Sequence, residues 1–181
     1  MESKTKFLGH PVHPMLIVIP LGLFVTTMIV DTIYLFTRNP ILPAVAFFNI
    51  AIGVVAGLVA AFFGMHDWMA IPLNTRARSI AGWHGLGNVA VVTMFGISWW
   101  LRSNVMNYMP TQLALILSYG GFLLGGVTAW LGGELVYRLS VGVDHGANLD
   151  APSSLSEQPA RAASSSSSSR TVTNRPARAK R

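Results

Sequence analysis

The chain has 181 residues, of which 51% are hydrophobic and only 11% charged, with a formal net charge of +6 and no cysteine. Soluble domains carry about a quarter charged residues, so this composition excludes an ordinary soluble fold. The missing cysteines exclude disulfides, thiolate metal sites, cysteine-ligated clusters and covalently attached c-type haem.

The apolar residues gather into four runs, at about residues 15–37, 41–64, 81–101 and 113–136. Each is long enough to cross a hydrocarbon core of roughly 30 Å as a helix. Their continuous apolarity argues against a barrel, which shows short alternating segments. The predicted fold class is all-α: an integral membrane four-helix bundle over residues 1–150, followed by a disordered basic tail over 151–181. The first run is longer than the core of a cleavable signal and lacks a small-residue cleavage pattern, so it is expected to stay as a span.

Ahead of that run stands Gly9-His10-Pro11-Val12-His13-Pro14. A residue before proline is pushed toward extended geometry, which predicts both histidines to be non-helical. In polyproline geometry their rings would lie about 9 Å apart on one side, lining a groove without gripping one ion. Asp31, the only acid of the first span, is expected about 27 Å from His13 along a helix, capping the interface or pairing with Arg38. Arg38-Asn39-Pro40 is so short a link that spans one and two must be antiparallel neighbours. His66, Asp67 and Trp68 follow the second run and are expected in or beside a hydrophilic turn.

Thr75 is placed to cap a helix that carries Arg76 and Arg78. His84 and Asn88, four residues apart, share a helical face slightly inside the apolar layer, where a polar group needs a partner. Span four is studded with glycine, Gly120, Gly121, Gly125, Gly126, Gly132 and Gly133, which lets helices approach closely in lipid. Glu134 lies about one turn inside the boundary and must find a cation, a donor or a proton; Arg76 and Arg78 are candidates. The tail has serine at every position from 164 to 169 among scattered arginines and cannot bury a core. Its choices are plain solvation or attraction to anionic lipid, worth about 1 kcal/mol per basic residue near the surface.

Lys4, Lys6, Arg76, Arg78 and Arg138 flank one side of the four spans, against Arg38 and Arg102 on the other. The positive-inside rule then puts both termini in the cytoplasm, and topology rather than nucleic acid accounts for the net charge. Trp83 at one boundary, and Trp99, Trp100, Tyr34 and Tyr108 at the other, suit aromatic belts.

These motifs carry a resemblance. Gly9-His10-Pro11-Val12-His13-Pro14-Met15 before a first span with Pro20-Leu21-Gly22 is followed by Gly64, Asp67-Trp68 and Ile71-Pro72. Then come Ala77-Arg78, Trp83-His84, Asn88, Gly132-Gly133, Leu135-Val136-Tyr137 and Gly142-Val143. The ordered set resembles the bacterial membrane-protein family catalogued as domain of unknown function 2231, over roughly residues 7–145. The resemblance implies four spans, a multi-pass protein of the bacterial inner membrane and a polar cluster on the cytoplasmic side; it implies no substrate. Glycine is common in that family where Ser140 stands, so the turn after span four is expected to differ here.

Three functions compete. Haem b or another redox centre would use His10, His13, His84 and Glu134, although a depth mismatch of about 7 Å between His13 and His84 counts against a simple axial pair. A divalent metal would use His13, His66, Asp67 and His84, nitrogen and oxygen donors that suit zinc or iron. No His-Glu-x-x-His pattern is present, so hydrolysis is not indicated. The third is a structural accessory subunit with no cofactor, in which Trp68, Arg76, Arg78, Asn88 and Tyr137 clamp loops to the bundle and a membrane-protein partner or a second copy docks. A transporter is disfavoured by four spans without charge at mid-membrane. The favoured reading is a non-catalytic, redox-accessory protein holding haem b or a metal ion.

Overall fold

Each apolar run becomes a helical span longer than itself in the computed structural model, which describes residues 1–156, 158 and 160. Helices α1 (Val12–Leu16) and α2 (Val18–Thr37) make one bent span. The break at Ile17 has a covalent cause: Pro20 lacks the N–H that would bond the Leu16 carbonyl, and its ring crowds that oxygen. Helix α3 is Leu42–Ala70, α4 is Arg76–Ser103 and α5 is Gln112–Gly133, continued by a wider π turn over Glu134–Arg138. Thr75 and Thr111 cap α4 and α5, their hydroxyls accepting from the Arg78 and Ala114 N–H groups at 3.1 Å.

Two boundaries correct the sequence reading. His66, Asp67 and Trp68 are helical, because α3 runs on until Ile71, which precedes Pro72 and is held extended by it. His13 is helical too. Lys6–Phe7 (β1) and His10–Pro11 (β2) form a small antiparallel hairpin turning at Leu8 and Gly9, and α1 starts directly after it. Pro14 therefore falls in the first turn, where its missing N–H had no helical partner to lose.

Around the bundle the order is α2, α3, α4, α5, closing with α5 against α2, so α2 and α4 face each other across the diagonal. Large side chains fill it. Phe24 and Phe95 stack with ring centroids 3.9 Å apart and planes 3° from parallel, inside a core completed by Ile50 and Val91. Toward the end that carries the α2–α3 link, Arg102 donates to both carboxylate oxygens of Asp31, at 2.9 and 2.5 Å, and both side chains are fully buried. This overturns the capping or Arg38 role expected for Asp31; Arg38 lies instead over the Tyr34 ring, 5.7 Å from its centroid. A buried carboxylate needs a desolvated cation with matching geometry, which the two-pronged guanidinium supplies. Trp99 likewise leaves the expected belt and stacks on Phe47 at 5.4 Å.

At the opposite, near end the first residues are strapped to the bundle. The Met1 ammonium donates to the Ser140 carbonyl at 2.9 Å, and Gly142 N–H donates to the Met1 carbonyl at 2.8 Å. Lys6 donates to the Glu2 carboxylate, which holds that carboxyl below its ordinary range. Ser140 has φ +52°, so the turn after α5 keeps the left-handed conformation that glycine favours although serine occupies it. Of the segment expected to be a disordered tail, residues 151–156 are described, and Ser154 packs on Gly9. The basic residues from Arg161 onward, with their expected attraction to anionic lipid, lie outside the described residues.

Replacing Asp31 with alanine strands a buried guanidinium and is expected to cost about 3–5 kcal/mol, seen as a fall of the detergent-solubilised melting midpoint of roughly 10 °C. Ser140→Gly should act in the opposite sense, raising stability by about 0.5–1 kcal/mol in the same thermal scan by removing the left-handed penalty.

Candidate functional site

Two imidazoles meet at the near end of the α2–α4 diagonal. His13, in the first turn of α1, and His84, in α4, have ring centroids 6.3 Å apart and planes at 90°. Each Nδ1 sits 2.8 Å from a backbone carbonyl, Ala60 of α3 for His13 and Thr128 of α5 for His84. A carbonyl only accepts, so both rings carry a proton on Nδ1. These acceptors are the second lone pairs of helical carbonyls, which a side chain can reach only if the facing helix is thin.

Glycine provides the thinness. A Cβ on Gly64 would lie 2.9 Å from Cε1 of His13, and one on Gly132 would lie 3.1 Å from Cε1 of His84. Each glycine follows its carbonyl residue by four positions and hence stands one turn along the same face. At His84 the second nitrogen is occupied: Asn88 donates its amide to Nε2 at 3.1 Å and to the His84 carbonyl at 2.8 Å. The Asn88 carbonyl oxygen in turn accepts from the buried Thr128 hydroxyl at 3.1 Å. His13 Nε2 makes no hydrogen bond among the described residues.

The depth difference expected between these histidines does not keep them apart, since their rings adjoin with centroids 6.3 Å from one another. The remaining expected ligands lie elsewhere. His10 is exposed, with Nε2 3.4 Å from the Ser154 hydroxyl, and His66 is exposed with its ring 5.9 Å from that of Phe62. Asp67 accepts from the Ser3 hydroxyl at 2.7 Å and the Lys4 N–H at 3.0 Å, and Glu134 takes the Arg76 guanidinium at 2.6 Å. Neither expected ligand set is assembled: among the described residues no three His, Cys, Asp or Glu side chains gather as a metal group. Helical geometry explains it, since His66 and Glu134 lie two residues past the inward-facing Gly64 and Gly132, a rotation of about 200°.

Beside the imidazoles, Arg78 donates to the Trp68 and Ile71 carbonyls at 2.6 and 3.0 Å and lies 4.0 Å from the Trp68 ring centroid. Trp68 Nε1–H returns a bond to the Arg78 carbonyl at 3.3 Å. This caps the end of α3 and roofs the small core of Ile71, Ala81 and Leu135. Tyr137, expected in the same clamp, is 86% exposed and stands apart from it.

Residues 9–145 match the family described as Predicted membrane protein (DUF2231). The chain belongs to that family. No curated protein and no solved structure matches it. The family's segment holds the four helices that, among the described residues, are long and apolar enough to span a membrane, together with the His13 and His84 imidazoles and the Arg78 clamp; the strap from Met1 to Leu8 precedes it.

Sequence reading missed Ala60, Thr128, Gly64 and Gly132 as parts of the site. Two are backbone acceptors, to which side-chain chemistry gives no clue; the recurring spacing of four between a small residue and a glycine was the available signal. Gly64→Ala and Gly132→Ala should each push an imidazole off its carbonyl and lower stability by about 1–3 kcal/mol in thermal denaturation. Gly85→Ala, whose Cβ meets nothing within 4 Å, should be neutral or gain up to about 1 kcal/mol of helix propensity.

Proposed function

We propose that the protein is a non-enzymatic, redox-accessory membrane protein that holds one metal-containing group, the iron of haem b or a single transition-metal ion, between Nε2 of His13 and Nε2 of His84. The observation that carries the reading is the shared role of the two Nδ1–H groups, each donated to a backbone carbonyl. Metal-binding imidazoles are habitually fixed this way, which orients the ring and leaves Nε2 as the coordinating lone pair. The centroid separation of 6.3 Å is of the size needed for two metal–nitrogen bonds of about 2.0–2.1 Å with half a ring beyond each. His10, His66, Asp67 and Glu134, having other partners or open exposure, drop out of the ligand set.

One observation favours the structural alternative: the Asn88 amide already satisfies Nε2 of His84, as in an interhelical latch with no cofactor. Visible absorption and metal analysis on protein purified in detergent after growth with ample haem and metals separate the two. About one haem or metal per chain, lost in both His13→Ala and His84→Ala, is expected. Absence of a Soret band together with a metal content far below one per chain, unchanged by either substitution, would make the pair a latch.

The orientation with both termini cytoplasmic belongs to the same reading. Among the described residues Lys4, Arg78 and Arg138 stand at the near end without a carboxylate partner, against Arg38 at the far end, where Arg102 is neutralised internally by Asp31. Since the chain has no cysteine, single cysteines placed at Asn74 and Asn107 report it directly. A membrane-impermeant maleimide applied to intact cells should label the Asn107 position and spare the Asn74 position; the reverse pattern would invert the topology.

A further inference from the structure

Three contacts hold α1–α2 and α4 together across the diagonal, and they share one register. His84 lies 71 residues after His13, Phe95 lies 71 after Phe24, and Arg102 lies 71 after Asp31. Between the last two pairs, Thr27 and Ser98 match at the same spacing, and both are fully buried. The partner helices repeat as well, at a second constant spacing. Ala46 and Ala114 are fully buried small residues at the corresponding turn, Gly53 admits the Phe24 ring where Gly121 admits that of Phe95, and Gly64 lies under His13 where Gly132 lies under His84.

Matched residues that touch one another across a centre are the signature of two-fold symmetry. Alternating spans make α2 parallel to α4 and α3 parallel to α5, and the cyclic order α2, α3, α4, α5 maps onto itself by a half-turn about the bundle axis. We infer that the four spans are two copies of one helical hairpin paired about a two-fold axis along the membrane normal, and that His13 and His84 meet on that axis as equivalent ligands of a single group, with Asn88 the residue that makes them unequal. The second clause rests on the proposed function; the first does not.

The inequality is local. The residue matching Asn88 in the first copy is Ile17, which has no amide to offer, and His13 Nε2 is accordingly open while His84 Nε2 is held. A metal centre would therefore meet the open Nε2 of His13 first and would have to displace the Asn88 amide to reach His84. The amide keeps its second bond, to the His84 carbonyl, so the displacement leaves it a partner. Replacing Asn88 by isoleucine restores the match and opens both nitrogens.

Two arms of one experiment on the full-length protein in detergent test the two clauses separately. Melting midpoints are compared for Asp31→Arg, Arg102→Asp and the double exchange. Like charges in the singles should depress the midpoint by about 10 °C or abolish expression, and the exchange should recover more than half of the loss because symmetry gives the swapped groups equivalent surroundings. An exchange no better than the worse single would overturn the repeat. As a milder probe, Thr27→Ser combined with Ser98→Thr should leave the midpoint within about 2 °C of the parent; a larger fall counts against equivalence. In the second arm, hemin and cobalt(II) are titrated into parent and Asn88→Ile protein and followed by absorption. Binding of either probe at least about tenfold tighter in Asn88→Ile, and lost in both His13→Ala and His84→Ala, is expected. Binding that depends on one histidine alone, or weakens in Asn88→Ile, would overturn the axial assignment. Binding of neither probe to any variant would sink the cofactor reading while the charge exchange still decides the repeat.

Discussion

Two opposite charges with no water to turn to set the terms of this fold. Asp31 and Arg102 are fully buried within the bundle, so each is tolerable only in the presence of the other. Their attraction is largely offset by the cost of taking both out of water, and a pair of apolar side chains of the same volume would hold the helices about as well. What the pair contributes is uniqueness. Any rotation or slide of α2 against α4 that separates the carboxylate from the guanidinium leaves two uncompensated charges, whereas a slide of one leucine past another would cost little in lipid. With the ions locked, the Phe24 and Phe95 rings fall into parallel stacking two turns away, and His13 and His84 fall opposite each other beyond that.

The same logic runs through the smaller polar groups. Lipid supplies no hydrogen bonds, so polar side chains on the inner face of a span turn to a neighbouring helix or, as Thr27 does with the Leu23 carbonyl, to their own; Asn49 Nδ2 and Trp99 Nε1 are the buried exceptions among the described residues. Ser98 and Ser118 bond to one another at 2.8 Å, Thr128 bonds to Asn88, and the two imidazoles bond to carbonyls. Backbone carbonyls are accessible only where the facing helix is bare, which is why glycine rather than alanine lies beneath each ring. Packing and polar satisfaction are therefore one requirement here: the small residues that let helices approach also expose the acceptors that the approaching side chains need.

Hydropathy made the four spans legible because it measures which segments can enter lipid, and the family motifs made the chain's membership legible. Boundaries were harder. A helix ends where its capping ends and not where its apolar run does, so Thr75 marked the start of α4 correctly while His66 to Trp68 were misplaced into a turn. Direction was harder still. Arg102 sits at the edge of its apolar run like any boundary arginine, and nothing in its immediate neighbours says that it turns inward; only the partner 71 residues earlier does. The strap at the near end was equally hidden, since Ser3 and Lys4 reach Asp67 through one hydroxyl and one backbone N–H with no pattern in the sequence.

The opposite charges also bear on why a duplicated hairpin would be kept as one chain. A lone hairpin pairing with its own copy must place identical residues at matched positions on the axis, so an aspartate would meet an aspartate and an arginine an arginine. Histidine against histidine and phenylalanine against phenylalanine are compatible with such self-pairing; Asp31 against Arg102 is not. Linking the copies through residues 71–75 frees matched positions to diverge, and the divergence is visible at both ends of the diagonal. At the far end it produces an ion pair that only unlike halves can make. At the near end it places Asn88 beside one imidazole and Ile17 beside the other, turning a symmetric pair of rings into one held and one open nitrogen.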